Sequence, residues 1–263
     1  MAARNHIELV VKSMRVLETL AESSEGATLR DIAARVGLVK SSVFRILFTL
    51  KSIGYVEQNA EGGLYRLTFK SAGLVRRGGE RATLVNIARH HLVDLRNLLQ
   101  ESVWLGEKRR EGIVLVDVVE AGHPLKLAYD VGDLCPVHAT AMGKAIGAHL
   151  SPQQLQALLP SKKLPKFTVH TITSRRRLDT ELAYIRRKGY AINDQETVEG
   201  VILVGAPLFD SLGRVFAGIS VGSPIVRCSS KKRQQVIKHA LATANTITKE
   251  LRDAGFRARE HDI

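Results

Sequence analysis

Apolar side chains recur every three or four positions along the first fifty residues of the chain. Residues 6–22, 29–36 and 40–53 each carry one apolar face at this spacing, which predicts three amphipathic helices. The predicted buried faces are Val10, Met14, Leu17, Leu20 and Ala21 with Val16 beside them, then Leu29, Ile32, Ala33 and Val36, and finally Val43, Ile46, Leu47, Leu50 and Ile53.

Polar and glycine residues mark the ends of these segments. Thr28 is a favourable N-cap for the second helix, and Gly37 ends it because glycine tolerates a positive φ. After Gly54, residues 55–57 and 64–67 read as two short strands around a turn that contains two glycines. The first 67 residues therefore predict three helices followed by a β-hairpin.

Three helices followed by a hairpin form a winged helix-turn-helix, whose last helix enters the DNA major groove. The exposed start of that helix carries Lys40, Ser41, Ser42 and Arg45, which offer cations for phosphate and donors for base edges. Together with the N-cap Thr28, these are the predicted DNA-binding residues. The alternative is an αα-hairpin and a β-hairpin that pack against something else. The basic, hydroxylated face favours DNA.

The remainder of the chain predicts a second, α+β domain. Glycines near residue 80 suggest a boundary there, with residues 1–80 as the DNA-binding domain and residues 81–263 as a linker helix plus a sensor-like domain with a mainly antiparallel sheet. The predicted strands are 103–108, 113–119, 125–129, 201–206 and 215–221, and the predicted helices are 83–99, 140–150, a short one from Pro152, 174–188 and 230–253.

Composition narrows the class of protein. The 263 residues have a net charge of +13, a pI near 10 and 44% hydrophobic residues, as expected for a globular protein with a polyanionic partner. Most of the positive excess lies after residue 80, so it is not confined to the predicted DNA-binding domain. Two cysteines, Cys135 and Cys228, indicate neither a disulfide framework nor a metal cluster. Without a long apolar run or a signal-peptide profile, we expect a cytoplasmic protein that needs no membrane.

Four stretches together resemble the IclR family of bacterial transcriptional regulators. They are the winged-helix segment, VGDLCPVHATAMGKAIGAHL at 131–150, RKGYAINDQETVEGVILVGAPLFD at 187–210 and GRVFAGISVGSP at 213–224. The resemblance covers about residues 7–252. It implies a GAF-like C-terminal domain that binds a small effector, an operator palindrome in double-stranded DNA as the partner of the N-terminal domain, and assembly as a dimer or tetramer.

The same resemblance implies an effector site. A small carboxylate, such as an aromatic, sugar or keto acid, needs N–H donors or positive potential beside an apolar wall, and residues 139–144 lie where a loop enters a helix. Leu203 stands where many relatives have Cys, and Asn193 where some have Asp, so the effector of any one relative does not transfer. The implied contacts are Ala141, Met142, Asn193, Asp194, Val201, Leu203, Ser220 and Gly222.

Three motifs in the second domain bear on possible catalysis. Gly143-Lys144 is not a phosphate-binding loop, because the motif's first glycine and its Ser/Thr are absent. Cys135 with His138, or Asp194 with Glu196, would suggest an enzyme, although structural or loop-capping roles are more common for such pairs.

His90-His91 is not expected to bind a metal, because adjacent helical residues point apart. We expect no cofactor, metal site or catalytic activity. Three hypotheses result: an effector-responsive DNA-binding regulator, an enzyme or redox-active sensor that uses Cys135 or Asp194, and a DNA-binding protein whose second domain only oligomerises. The first is favoured.

Overall fold

The chain folds into two compact units, Met1–Gly79 and Glu80–Ile263. The computed structural model describes residues 7–23, 25–59, 63–71, 80–110, 112–123, 127, 129–160 and 163–258. None of the helices in this part of the chain combines the length and apolar character needed to cross a lipid bilayer.

The first unit has the predicted order of three helices and a hairpin. Its strands pair antiparallel, with Val56 opposite Leu67. Thr28 caps the second helix, and Gly37 ends it at a φ of 66°. The elements are α1 Glu8–Ala21, α2 Leu29–Val36, α3 Lys40–Ser52, β1 Val56–Gln58 and β2 Tyr65–Leu67.

The predicted inner face of α1 was wrong in its first half. Val10 and Met14 are exposed. In the second half Leu20 and the adjacent Val16 are buried as predicted and Leu17 is half-buried, but Ala21 is exposed and Thr19 is buried in its place. The first two turns of α1 extend beyond the small core that α2, α3 and the hairpin form, so hydrophobic spacing alone could not show which turns are covered. Ile53 was also predicted to be buried and is 47% exposed.

The second unit is an antiparallel sheet with helices on both faces, as predicted. Its strand order is β5-β4-β3-β8-β7-β6. The elements are α4 Glu80–Leu99, β3 Ser102–Arg109, β4 Gly112–Val119, β5 Leu134–Cys135, α5 Ala141–Gly147, α6 Pro152–Leu158, α7 Arg175–Lys188, β6 Ala191–Asp194, β7 Val201–Phe209, β8 Val215–Pro224 and α8 Ser230–Asp253, with a 3₁₀ turn at Ile225–Arg227.

Alternating side chains of the strands build two separate cores. Leu105 and Val204 point towards α4 and α8 on one face, while Trp104 and Leu203 point towards α5 and α7 on the other. Because both faces are covered, β7 and β8 are buried along nearly their whole length.

Three glycines on adjacent strands let α5 lie directly on the sheet. Gly106 pairs with Gly218, and Gly205 lies on the neighbouring strand β7. A Cβ atom on Gly205 would be 2.5 Å from the carbonyl carbon of Ala141, and one on Gly218 would be 3.2 Å from the Met142 side chain. We call these three residues the glycine platform. It explains why all seven residues of α5 are buried.

Two strands were not predicted. β5 has two residues and β6 has four, too few to show an alternating pattern. The strand predicted at 125–129 lies partly outside the described residues, and its described members Leu127 and Tyr129 are not in a strand.

Candidate DNA-binding surface and ligand cavity

The exposed face of α3 carries most of the residues predicted to contact DNA. Lys40, Ser41 and Arg45 are exposed and Ser42 is half-buried. Within the described residues, the Arg45 guanidinium has no hydrogen-bond or ion-pair partner. The first turn of α3 contains no acidic side chain that would repel phosphate. This face therefore presents cations and hydroxyl groups to solvent.

Thr28 has a local structural role. Its hydroxyl oxygen accepts the Asp31 N–H at 3.2 Å and donates to Asp31 Oδ2 at 2.6 Å. The hydrogen bond from Thr28 holds the pKa of Asp31 below its usual value. A DNA contact by the Thr28 side chain would have to coexist with this cap.

Two aromatic residues on the same face were missed by the sequence analysis. Phe44 is 51% exposed and Phe48 is 65% exposed. Their ring centroids lie 6.4 Å apart, and the rings flank Arg45 and Thr49 in a shallow depression. The signal was available, because both positions fall outside the buried stripe formed by Val43, Ile46, Leu47 and Leu50.

The second unit contains a cavity of about 340 Å³ between α5, the sheet and the loops beside β5. This volume lies within the range of about 300–1,000 Å³ that is common for small-molecule sites. The lining is mostly apolar and aromatic. It consists of Trp104, Leu115, Tyr129, Asp133, Leu134, Cys135, Pro136, Thr140, Ala141, Met142, Phe167, Asn193, Thr197, Leu203 and Ser220.

Five of the eight predicted effector residues line this cavity: Ala141, Met142, Asn193, Leu203 and Ser220. These five residues, which come from separate stretches of the sequence, therefore lie around one cavity. Whether these residues bind an effector remains a prediction.

The other three predicted residues are placed differently. Asp194 points away from the cavity, because adjacent residues of a strand face opposite sides, and its carboxylate lies 3.7 Å from Arg233 Nη2. Val201 packs in the apolar core under α5. Gly222 lies against the ring of Trp104, and a Cβ atom added to Gly222 would be 2.9 Å from that ring. Of these three, Asp194 is a correction to the predicted set.

The charge in the cavity also differs from expectation. Asp133, at the exposed rim, is the charged member of the described lining, which contains no Lys, Arg or His. The start of α5 offers less than predicted, because the helix has seven residues and Thr140 Oγ1 already accepts the Gly143 N–H at 3.0 Å. A carboxylate would find neutral donors here rather than a cation.

Ser220 is the polar group most available to a ligand. It sits at the centre of the sheet between Trp104 and Gly205, and is 3% exposed. Its hydroxyl oxygen has no hydrogen-bond partner among the described residues. Buried hydroxyl groups are usually paired, because leaving one unpaired costs about 1–3 kcal/mol.

The amide of Asn193 is already committed within its own loop. Its Nδ2 donates to Thr197 Oγ1 at 2.8 Å, and its Oδ1 accepts the Glu196 N–H at 2.7 Å. Asn193 therefore shapes the wall of the cavity and keeps the loop after β6 in place.

A buried ion pair lies directly behind the cavity wall. Lys144 on α5 is fully buried, donates to the Ile192 carbonyl oxygen at 2.7 Å and pairs with Glu196. Gln195, at a φ of 63°, turns the chain so that Glu196 faces Lys144. Burial raises the pKa of Glu196, and Lys144 opposes that rise. The pair ties α5 to the end of β6, which are two walls of the cavity.

The geometry argues against the enzyme hypotheses. Burial raises the pKa of the Cys135 thiol to about 12, so it is protonated at neutral pH. The Nε2 atom of His138 lies 2.9 Å from the Pro165 carbonyl oxygen, and the imidazole stacks on Phe167. Asp194 and Glu196 pair with different cations, Arg233 and Lys144 respectively.

One group of described residues could hold a metal ion. His90 and His91 do not point apart as predicted, because their rings fold back to a centroid separation of 3.7 Å. His91 Nε2 lies 2.9 Å from Glu250 Oε1, and the possible ligand atoms of the three residues lie within 4.8 Å of one another. The hydrogen bond between His91 and Glu250 also explains the position of the His91 ring without a metal.

A winged helix-turn-helix joined in one chain to a cavity-bearing α+β unit defines a transcriptional regulator with a separate effector domain. Comparison with known proteins identifies the family. Residues 9–60 match the IclR helix-turn-helix domain, and residues 79–249 match the domain described as bacterial transcriptional regulator IclR C-terminal. The chain therefore belongs to the IclR family of bacterial transcriptional regulators.

Individual relatives agree with this assignment. The chain is 33% identical to the regulator XynR of Escherichia coli over 92% of this chain and 97% of that protein. It is 30% identical to KdgR of the same organism over 93% of each chain. A crystal structure of IclR from Thermotoga maritima superposes with a TM-score of 0.78 at 26% identity, and covers 94% of this chain and all of that one. These relatives are regulators, and the chain is a regulator rather than an enzyme.

Proposed function

We propose that this regulator acts in the cytoplasm as a homodimer or homotetramer, and that its affinity for an operator changes when a small organic acid occupies the cavity. The observation that carries the proposal is the buried hydroxyl of Ser220, which has no hydrogen-bond partner in the described part of the chain and lies in a cavity of ligand size. An apolar pocket with a few convergent polar groups is the usual form of a small-molecule site.

The lining favours an aromatic acid over a sugar acid or a short keto acid. Trp104, Tyr129 and Phe167 offer ring surfaces, whereas a sugar acid would bring hydroxyl groups that this wall could not all pair. A short keto acid would leave much of the cavity empty. A protein of this fold from Microbacterium hydrocarbonoxydans, 23% identical, has been crystallised with 4-hydroxybenzoate. In our proposal a ligand oxygen bonds to Ser220 and the ring lies against Trp104.

For DNA, the proposed contacts are Lys40, Ser41, Ser42 and Arg45 at the start of α3, with Thr28 beside them as a secondary contact. The exposed cations would bind phosphate, and the exposed guanidinium of Arg45 carries the paired donors that bind a guanine edge. A symmetric dimer would read a palindrome whose half-sites lie about one helical turn, or a multiple of it, apart. Occupation of the cavity would then favour one relative placement of the two α3 helices.

The test is a thermal-shift titration of the full chain with 4-hydroxybenzoate, a sugar acid and a short keto acid, followed by operator binding with any compound that stabilises. We expect concentration-dependent stabilisation by the aromatic acid, since a ligand that binds only the folded state raises its stability. 4-Hydroxybenzamide, added as a neutral analogue, measures how much the carboxylate contributes.

Two variants locate the site. Ser220→Ala should weaken ligand binding and leave the unliganded protein as stable or slightly more stable, because it removes an unpaired buried hydroxyl. Asp194→Asn is the matched control outside the cavity and should bind like the parent. Equal affinity of the parent and Ser220→Ala would remove Ser220 from the site and count against the proposal. No stabilisation by any compound would favour a domain that only oligomerises.

A further inference from the structure

Phe44 and Phe48 form an apolar strip in the middle of the exposed face of α3. With Ser41 and Arg45 they follow the i, i+3, i+4, i+7 spacing that brings side chains onto one face of a helix. Their rings lie 6.4 Å apart and tilt by 31° relative to each other. We call these two side chains the phenyl strip.

The phenyl strip contributes little to the core of its own unit. The described core is built from Val43, Ile46, Leu47 and Leu50 on the opposite face of α3, with residues of α1, α2 and the hairpin. A phenyl ring left half or more in water forgoes the stabilisation that burial would give. Two such rings side by side on a helix of the DNA-binding type therefore point to an external contact.

The neighbours of the strip indicate what that contact is. Lys40 before the strip and Arg45 between its two rings add exposed positive charge, and Ser41 adds a hydroxyl group. This combination of positive charge and apolar rings is complementary to a polyanion that also exposes an apolar group. In the DNA major groove the thymine C5-methyl group is the apolar feature of a base edge, and Phe is among the residues that contact it.

We propose that Phe44 packs against a thymine methyl group in each half-site, and that Phe48 packs against a second thymine about two base steps further along. The separation of 6.4 Å between the rings corresponds to roughly two steps of about 3.4 Å along one strand. This proposal rests on the DNA-binding surface proposed above. It makes these two residues determinants of sequence preference, beside the hydrogen bonds of Arg45.

The test begins by selecting an operator from random duplex DNA with the full-length protein. Each thymine of the selected half-site is then replaced singly by deoxyuridine, which removes the methyl group and leaves base pairing unchanged. We expect about a fourfold loss of affinity at one thymine, and a similar loss at a second about two steps away, the factor that corresponds to burying one methyl group. The other thymines should show less than a twofold change, at the limit of measurement.

Matched variants assign each methyl contact to a ring. In Phe44→Ala the uracil effect at the first thymine should disappear while that at the second remains, and Phe48→Ala should give the reverse. Both substitutions are at exposed positions, and a thermal melt checks that each variant is folded. Arg45→Ala should weaken binding but retain both uracil effects.

Three outcomes would overturn the inference. One is a selected site in which no uracil substitution weakens binding by the parent protein. Another is a uracil profile that Phe44→Ala and Phe48→Ala leave unchanged. The third is a change in oligomeric state in these variants with no change in DNA affinity, which would assign the strip to contact with a second copy. If no sequence is enriched at all, the proposed function itself fails together with this inference.

Discussion

The ammonium group of Lys144 is enclosed between α5, α7 and the segment after β6. It bonds to the Ile192 carbonyl oxygen and pairs with Glu196, and Glu181 on α7 lies 3.7 Å away. A charge without access to water is tolerated only with such partners, and removing one partner exposes the full cost of burying the other. The ion pair is therefore a determinant of the stability of the cavity walls.

We predict that Lys144→Met lowers the unfolding free energy of the second unit by about 3–5 kcal/mol at pH 7.5, because the Glu196 carboxylate is left buried and unpaired. The loss should shrink as the pH falls. The pKa of Glu196 is raised by burial, so the folded state takes up a proton there before the unfolded state does. Urea denaturation at pH 7.5 and 5.5 measures both effects.

Two further variants control this experiment. Lys144→Met with Glu196→Leu should recover most of the loss, because a buried ion pair can be replaced by apolar side chains at little cost. Lys249→Met removes an exposed lysine from the same unit and should change stability by less than about 0.5 kcal/mol. A single Lys144→Met variant as stable as the parent would show that the pair has no stabilising role.

His138 gives a second dependence on pH, of opposite sign. Burial lowers the pKa of this imidazole, and the charge of Lys144 lowers it further. As the pH falls below about 6.5, this histidine binds a proton in the unfolded chain but not in the folded one. The unfolding free energy therefore declines until the pH reaches the lowered pKa of the folded state.

We predict that His138→Gln has a shallower decline between pH 7.5 and 5.5 than the parent protein. Glutamine can still donate a hydrogen bond to the Pro165 carbonyl oxygen but does not titrate. The comparison cancels His149, whose pKa is also lowered by burial and which both proteins contain. If the unfolding free energy, measured by urea denaturation, declines equally with pH in the variant and the parent, His138 is not the titrating group.

The sequence predicted the exposure of individual residues correctly where helical spacing determines which face is exposed. It could not decide which of two adjacent strand residues faces the cavity. The exposed Lys40, Ser41 and Arg45 followed from helical periodicity. Asn193 and Asp194 could not be separated, because a four-residue strand carries too little pattern to show which side faces the cavity. The partner of Lys144 is 52 residues away in sequence, and no local pattern reveals such a contact.

At the scale of elements, the cavity depends on how closely α5 approaches the sheet. The glycine platform removes the side chains that would hold the helix away, and Gly143 does the same for the loop before it, where its Cβ would lie 2.6 Å from the Val137 Cα. The sequence placed Gly143 in the segment where a loop enters a helix, and the structure has a helix starting there. It did not predict the platform, because Gly106 on β3 is distant in sequence from Gly205 and Gly218 on β7 and β8.

We predict that Gly205→Ala displaces α5 and costs about 1–3 kcal/mol of unfolding free energy, the usual range for overpacking a core. The new methyl group would meet backbone atoms of Ala141, which cannot rotate aside. Ligand binding should weaken more than stability suggests, since Ala141 and Met142 line the cavity. Urea denaturation and ligand titration measure the two effects.

Gly122→Ala is the matched control, because nothing described lies within 4 Å of its added methyl group. It should retain the stability and ligand affinity of the parent. Normal ligand affinity in Gly205→Ala would mean that ligand binding does not depend on the close packing of α5 on the sheet.

At the scale of the whole molecule, the chain joins a DNA-binding unit to a unit with a cavity, and the proposed function requires a coupling free energy between them. Such couplings are typically about 1–3 kcal/mol, or about five- to 150-fold in affinity. The sequence predicted the two kinds of unit from their patterns and from the family resemblance. It could not predict the size of the proposed coupling, because no local pattern of residues reports a free energy that links two separate units.

We predict that this coupling is reciprocal. If saturating ligand changes operator affinity by a given factor, saturating operator must change ligand affinity by the same factor. Fluorescence anisotropy with labelled operator and calorimetric titration with ligand measure the two sides independently. Unequal factors would show that the compound acts elsewhere than in one linked site per chain.

The glycine platform also has a consequence for engineering biosensors. The floor of the cavity is formed where the backbone of α5 lies directly on the glycine platform. Substitutions there would destabilise the fold before they changed the selectivity for a ligand. Leu134, Tyr129 and Phe167 contribute to the wall from loops and the two-residue strand β5, where a change of side chain has less of the scaffold to disturb. A library confined to those three positions would vary the compound detected while keeping the seat of α5 intact.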